Sequence, residues 1–201
     1  ATNMPVGAEL TDNGDGTGIF SWTPDYTQSG TYPNVTITAT DNGAPILDDS
    51  EAITITVNEA NQAPVLTPIG DQTGDEGQLL EFAISATDPD TGDSLTLSAT
   101  NLPPGAMLTD YGDGTGLFSW TPDYTQSGSY PGVTFTVSDN GTPILTDSET
   151  ITITINEANQ APVLTPIGDQ TGDEGQLLEF AISATDPDTG DSLTLSTTNL
   201  P

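Results

Sequence analysis

Thr150-Ile-Thr-Ile-Thr-Ile155 alternates without a break between a hydroxyl-bearing and an aliphatic β-branched residue. A period of two places the three isoleucines on one face of an extended strand and the three threonines on the other. Ile53-Thr-Ile-Thr-Val57 and Val133-Thr-Phe-Thr-Val137 carry the same pattern. Working outward, turn signals separate the apolar runs: Asp88-Pro-Asp-Thr-Gly92, Asp110-Tyr-Gly-Asp-Gly114 and Asp139-Asn-Gly-Thr-Pro143. No segment combines a helical period with caps. The chain reads as all-β, with aliphatic faces turned to a core and threonine rows to solvent.

The pattern returns every 98 residues: Asn61-Gln-Ala-Pro-Val recurs at Asn159, and Ser21-Trp22-Thr-Pro-Asp at Ser119-Trp120. A period near 100 residues is one compact domain per repeat and not a solenoid turn. Residues 159–201 match 61–103 except at Thr197, where the earlier copy has Ala99. The spacing predicts that 1–60 are the later strands of a first domain, 61–158 a complete domain, and 159–201 the opening strands of a third. For the complete repeat, strands are expected at 64–69 with a continuation at 71–74, then at 78–87, 93–100, 106–110, 116–121, 129–138 and 147–156. Seven short antiparallel strands in one repeat predict a Greek-key immunoglobulin-like sandwich. Its expected core is Leu80, Phe82, Ile84, Leu95, Leu97, Phe118, Trp120, Val133, Phe135, Val137, Ile151, Ile153 and Ile155. Tyr130 stands where a tyrosine corner would fall.

Composition narrows the function. The chain has 30 acidic residues and no Lys, Arg or His. Clustered carboxylates must therefore be solvated, hydrogen-bonded to neutral donors, or bound to a cation. Nothing here can neutralise phosphate, so nucleic acid and anionic membrane surfaces are excluded as partners. No run approaches the roughly 20 apolar residues of a membrane-spanning helix. Without Lys, Arg, His or Cys, most general bases and nucleophiles are missing, and no enzyme is expected.

Asn61-Gln-Ala-Pro-Val, Asp75-Glu-Gly77, Ala86-Thr-Asp-Pro-Asp90, Phe118-Ser-Trp-Thr-Pro122 and the closing Thr-Ile run together resemble tandem bacterial and archaeal immunoglobulin-like repeats of the cadherin-like type. The likeness spans the whole repeat. It implies calcium at each domain junction, held by a Glu after the first strand, acids of a later loop, the interdomain linker and an Asp-x-Asp of the next domain. Carried onto this chain, those groups are Glu76, Asp123, Glu157, Asn159, Asp186 and Asp188 at one junction. At the preceding junction they are Asp25, Glu59, Asn61, Asp88 and Asp90, with Asp139 adding a ligand. Calcium takes six to eight oxygens at about 2.3–2.6 Å, which suits such a set. The linker Asn156-Glu-Ala-Asn-Gln is poorer in Asp than the family's, which implies fewer ions or weaker binding. Asp88-Pro-Asp-Thr-Gly also reads as a plain turn with solvated acids.

Asp110 and Asp113, with their copies Asp12 and Asp15, miss the spacing of a helix–loop–helix calcium site and read instead as a Gly-rich hairpin. Asn34-Val-Thr36 and Asn140-Gly-Thr142 are N-glycosylation sequons, so attached glycans are expected partners. The expected function is a structural module of an extracellular fibre or surface stalk, rigidified by calcium. The alternative is an adhesive or carbohydrate-binding accessory module of a larger surface protein. Self-association is expected end to end, either as one continuous array, the favoured version, or as subunits whose strands complete each other.

Overall fold

The computed structural model describes residues 1–198. Every regular element among them is a β-strand, and none of them forms a helix long and apolar enough to cross a membrane. Contacts divide the chain into two compact units. The first holds Ala1–Ala63 with the loops Asp88–Asp93 and Asp139–Leu145; the second holds Pro64–Thr87, Ser94–Ser138 and the described residues from Thr146 on.

The second unit contains a sandwich of two four-stranded sheets. One sheet runs β5 (Val65–Leu66), β7 (Leu80–Thr87), β10 (Thr115–Trp120), β9 (Met107–Asp110); the other runs β6 (Gln72–Asp75), β12 (Thr146–Asn156), β11 (Gly128–Ser138), β8 (Thr96–Thr100). All ladders are antiparallel except β6 on β12, where Ile153 faces Gln72 and Asn156 faces Asp75. The first strand thus splits between sheets, and it is shorter than its apolar run suggested. At the crossover, Ile69 and Gly70 donate their N–H groups to the Glu149 carboxylate at 2.6 and 2.9 Å. Asp71 accepts from the Thr152 N–H at 2.7 Å, and Asp147 from the Leu66 N–H at 2.8 Å. In a chain without side-chain cations, carboxylates satisfy backbone donors that the ladder leaves open.

The core is the expected one with two additions. Ile84, Leu95, Leu97, Phe118, Trp120, Val133, Phe135, Val137, Ile151, Ile153 and Ile155 are buried, joined by Leu66 and Ala86, while Leu80 and Phe82 are only partly covered. Phe82 stacks on Phe118 with centroids 4.6 Å apart, and Phe135 meets both rings edge-on. Tyr130 forms the corner: its hydroxyl donates to the Gln126 carbonyl at 2.8 Å, and its ring meets that of Trp120 at 89° with centroids 5.1 Å apart. The β9–β10 connection is the expected hairpin, with Asp110 accepting from Gly112 N–H and Asp113 from both Thr115 N–H and hydroxyl. Gly114 sits there at φ +82°, where a Cβ would stand 2.9 Å from the Ala86 carbonyl oxygen.

The first unit repeats half of this arrangement. β1 (Glu9–Asp12) pairs with β2 (Gly18–Ser21), and β3 (Gly30–Thr40) with β4 (Asp48–Val57), in the registers of β9–β10 and β11–β12. Tyr32 repeats the corner, donating to the Gln28 carbonyl at 2.9 Å. From residue 159 on, the described strands are β13 (Val163–Leu164) and β14 (Ala184–Thr185), an antiparallel pair.

Candidate metal centre

The centre grows from a turn. The Asp88 carboxylate accepts the Asp90 N–H at 2.8 Å, closing the Asp-Pro-Asp loop as an Asx-turn. Asp90 in turn is clamped by Gln62, whose backbone N–H reaches Oδ2 at 2.6 Å and whose side-chain amide reaches Oδ1 at 3.0 Å. The loop then brings Asp93 back, so that one oxygen each of Asp88, Asp90 and Asp93 lies within 4.8 Å of the others. Asp88 Oδ2 and Asp93 Oδ2 are buried and have no hydrogen-bond partner. A buried carboxylate oxygen without a donor is costly, and the cluster holds two.

Neighbouring acids share the strain. Partial desolvation, then the charges of Asp90, Asp93 and Asp88, push the Glu59 carboxyl above its ordinary pKa. Desolvation, then Asp88, Asp139 and Asp90, do the same to Asp93. Asp139 is buried, which works to raise its pKa, but bonds from Leu145 N–H, Asn61 and Gly141 N–H outweigh that and hold it low. Asn61 donates its amide to Asp139 at 2.8 Å and to the Pro143 carbonyl at 2.8 Å, so it braces the loop Asp139–Leu145. Gly141 makes room for it: a Cβ there would fall 1.9 Å from Asn61 Oδ1.

The same arrangement is built 98 residues later. Asp186 accepts the Asp188 N–H at 3.0 Å, Gln160 clamps Asp188 through its backbone and side-chain N–H groups, and Asp186, Asp188 and Asp191 converge within 4.8 Å. Glu157 is pushed above its usual pKa by partial desolvation, then by Asp188, Glu76 and Asp191. Glu76 is 2% exposed, and its carboxylate accepts the Ser127 and Ala158 N–H groups. Asn159 turns its amide to the Gln160 carbonyl instead.

The structure therefore gathers Glu59, Asp88, Asp90 and Asp139 about one centre, and Glu76, Glu157, Asp186 and Asp188 about the other. Asp25 and Asp123 stand outside both converging sets. Each spends Oδ1 on its own turn, accepting from Thr27 or Thr125 through N–H and hydroxyl, which lowers its pKa. Asp93 and Asp191 were not anticipated, because Thr-Gly-Asp reads as the end of a turn; the Asp-x-Asp-x-x-Asp spacing was the available signal. Asn34 and Asn140 are both exposed.

An all-oxygen, all-anionic donor set with two orphaned buried oxygens fits a hard divalent cation such as calcium. Asp88, Asp90 and Asp93 would hold it in one copy and Asp186, Asp188 and Asp191 in the other. The ion would supply the positive charge that the chain lacks.

A family model described as Putative Ig domain matches residues 3–58 and 63–156. The chain belongs to this immunoglobulin-like family. It is also 33% identical over 130 residues to chitinase A of Pseudoalteromonas piscicida, covering 64% of this chain and 15% of that protein. Among solved structures it resembles the protocadherin gammaB4 extracellular domain, with a TM-score of 0.52 and 22% identity over 93% of this chain and 34% of that one. A protocadherin gammaB7 EC3-6 structure matches at the same TM-score and identity, over 92% and 50%. These likenesses show a cadherin-like sandwich fold. The chain spans only a small part of the curated relative and about a third of the first structure.

Proposed function

We propose that this chain is a spacer: tandem immunoglobulin-like domains of an extracellular fibre or surface stalk, stiffened where the sequence repeats meet by calcium. The observation that carries this reading is the Asp88–Asp90–Asp93 cluster with its two buried, partnerless oxygens; the converging carboxylates, though not those orphaned oxygens, recur at Asp186–Asp188–Asp191. Glu59 and Glu157 close one proposed domain, and the Asp triad opens the next within its first loop. A cation shared between them would turn mutual repulsion into a fixed joint. The exposed sequons Asn34 and Asn140 would carry glycans in a secreting host. Calcium titration by calorimetry tests the reading: binding at a stoichiometry matched to the two clusters supports it, and no heat at millimolar calcium refutes it.

A second reading is favoured by the similarity to chitinase A. There the chain would be an adhesive or carbohydrate-binding accessory module of a larger cell-surface protein. The calcium joints serve that role equally well. Retention on insoluble polysaccharide would separate the two, since a pure spacer has no affinity for it.

A further inference from the structure

We propose that the central sandwich carries tension: the segment Leu66–Glu76 and strand β12 form a clamp that resists a pull along the chain. The stalk reading above supplies only the source of that pull. The clamp itself lies wholly within the second unit.

Direction decides how the strands meet a load. Tension along the chain enters the sandwich at β5 and leaves it at the end of β12. β6 runs parallel to β12, from Gln72 beside Ile153 to Asp75 beside Asn156. The pull therefore acts on opposite ends of two parallel strands and drives them past each other along their common axis. In that geometry the cross-links share the load and must fail together. In an antiparallel pair, joined by the same kind of ladder, the same pull would part the strands at one end, bond by bond.

β6 alone is a short ladder, and carboxylates lengthen it at both ends. Towards the entry, Asp147 accepts the Leu66 N–H at 2.8 Å, Glu149 accepts the Ile69 and Gly70 N–H groups at 2.6 and 2.9 Å, and Asp71 accepts the Thr152 N–H at 2.7 Å. Towards the exit, Asp75 accepts the Asn156 side-chain amide at 2.8 Å, and Glu76 donates its N–H to the Asn156 carbonyl at 3.1 Å. The buried Glu76 carboxylate then accepts the Ala158 N–H. Every one of these bonds ties the opening strand of the sandwich to its closing strand. Bonds to an ionised acceptor are roughly twice as strong as neutral ones.

Charge needed only for solubility would point outward. Asp147 and Glu149 are half-buried instead, and their carboxylates are spent on the crossover. In the earlier copy they recur as Asp49 and Glu51, while the exposed Thr146 and Thr150 beside them become Asp48 and Ala52.

The test is single-molecule pulling on the full chain in excess chelator, so that it does not depend on the calcium reading. The chain has no cysteine, so paired substitutions define where force is applied. Val65→Cys with Asn159→Cys, both at exposed positions, loads the clamp in shear. Val65→Cys with Thr146→Cys loads the same strands at one end, since Leu66 is bonded to Asp147. At one loading rate the first pair should hold to a several-fold higher force, then release about 90 residues in one step, roughly 300 Å of chain. Glu149→Ala strands two N–H groups and should shorten the lifetime under constant shear about tenfold, because forced unfolding follows the unfolding rate. Glu149→Gln keeps one acceptor and gives a smaller change in the same direction, should the alanine variant not fold. Leu97→Ala, in β8 at the far edge of the sheet, should lower stability in urea yet leave the shear lifetime within about twofold, because its contacts are still intact when the clamp parts. Equal rupture forces in the two geometries overturn the proposal, as does a Glu149→Ala lifetime no shorter than that of Leu97→Ala. Calcium binding by calorimetry is untouched by either failure, so the two readings fall separately.

Discussion

Replacing Glu76 by alanine asks whether the buried acid is a bystander or a keystone. Its carboxylate accepts two backbone N–H groups, from Ser127 and Ala158, and it is 2% exposed. Alanine leaves both donors without a partner, and each such loss costs about 1–3 kcal/mol. Relief of repulsion with Glu157 offsets part of this, since Glu76 is one of the charges holding that carboxyl above its ordinary pKa. The expected loss in chelator is about 2–4 kcal/mol, from urea unfolding followed by Trp120 fluorescence. Glu76→Gln keeps one acceptor and should lose about half as much. If Glu76 also serves the ion, the stabilisation that calcium confers must shrink in both variants. For the wild type that increment is about 2.7 kcal/mol at a hundredfold excess over the dissociation constant. A loss under about 0.5 kcal/mol for Glu76→Ala in chelator would show that the two N–H groups find water instead, and the keystone role would fail.

Other outcomes follow from the same geometry. Gly141→Ala should eject the Asn61 side chain from its place over the loop and raise the Asp139 pKa toward its ordinary value, read by carboxyl carbon NMR. Tyr130→Phe should cost about 1 kcal/mol through the lost bond to Gln126, measured by urea unfolding. Glu59, Asp93 and Glu157 have raised pKa values. In chelator, stability should therefore decline as pH climbs from the ordinary carboxylate value through the raised ones. Asp25, Asp123 and Asp139 are lowered, so their contribution is present above the ordinary value and lost as pH falls through the lowered one. Calcium affinity should weaken on acidification through the raised values, checked by calorimetry at pH 7 and pH 5.

The strands were legible because alternation in Thr150–Ile155 and Val133–Val137 is a direct image of a two-faced sheet. The split of the first strand between sheets was not, because it depends on Glu149 and Asp71 capping backbone groups some 80 residues away in sequence. In the metal centre, Asp88, Asp90, Asp186 and Asp188 came from the resemblance, as the Asp-x-Asp it implies. Asp93 and Asp191 hid in a turn signature, and Gln62 and Gln160 were given no role, although each grips Asp90 or Asp188 through two N–H groups. Asp25 and Asp123 carried the right charge, yet each commits its Oδ1 to the N–H and hydroxyl of a threonine two residues on.

The most direct measurement is an anomalous difference map from crystals grown in calcium, with data collected where calcium scatters anomalously. The account predicts a peak bonded to Asp88 Oδ2 and Asp93 Oδ2, and a second at Asp186–Asp188–Asp191. Featureless maps at both clusters, with water against those oxygens, would contradict it.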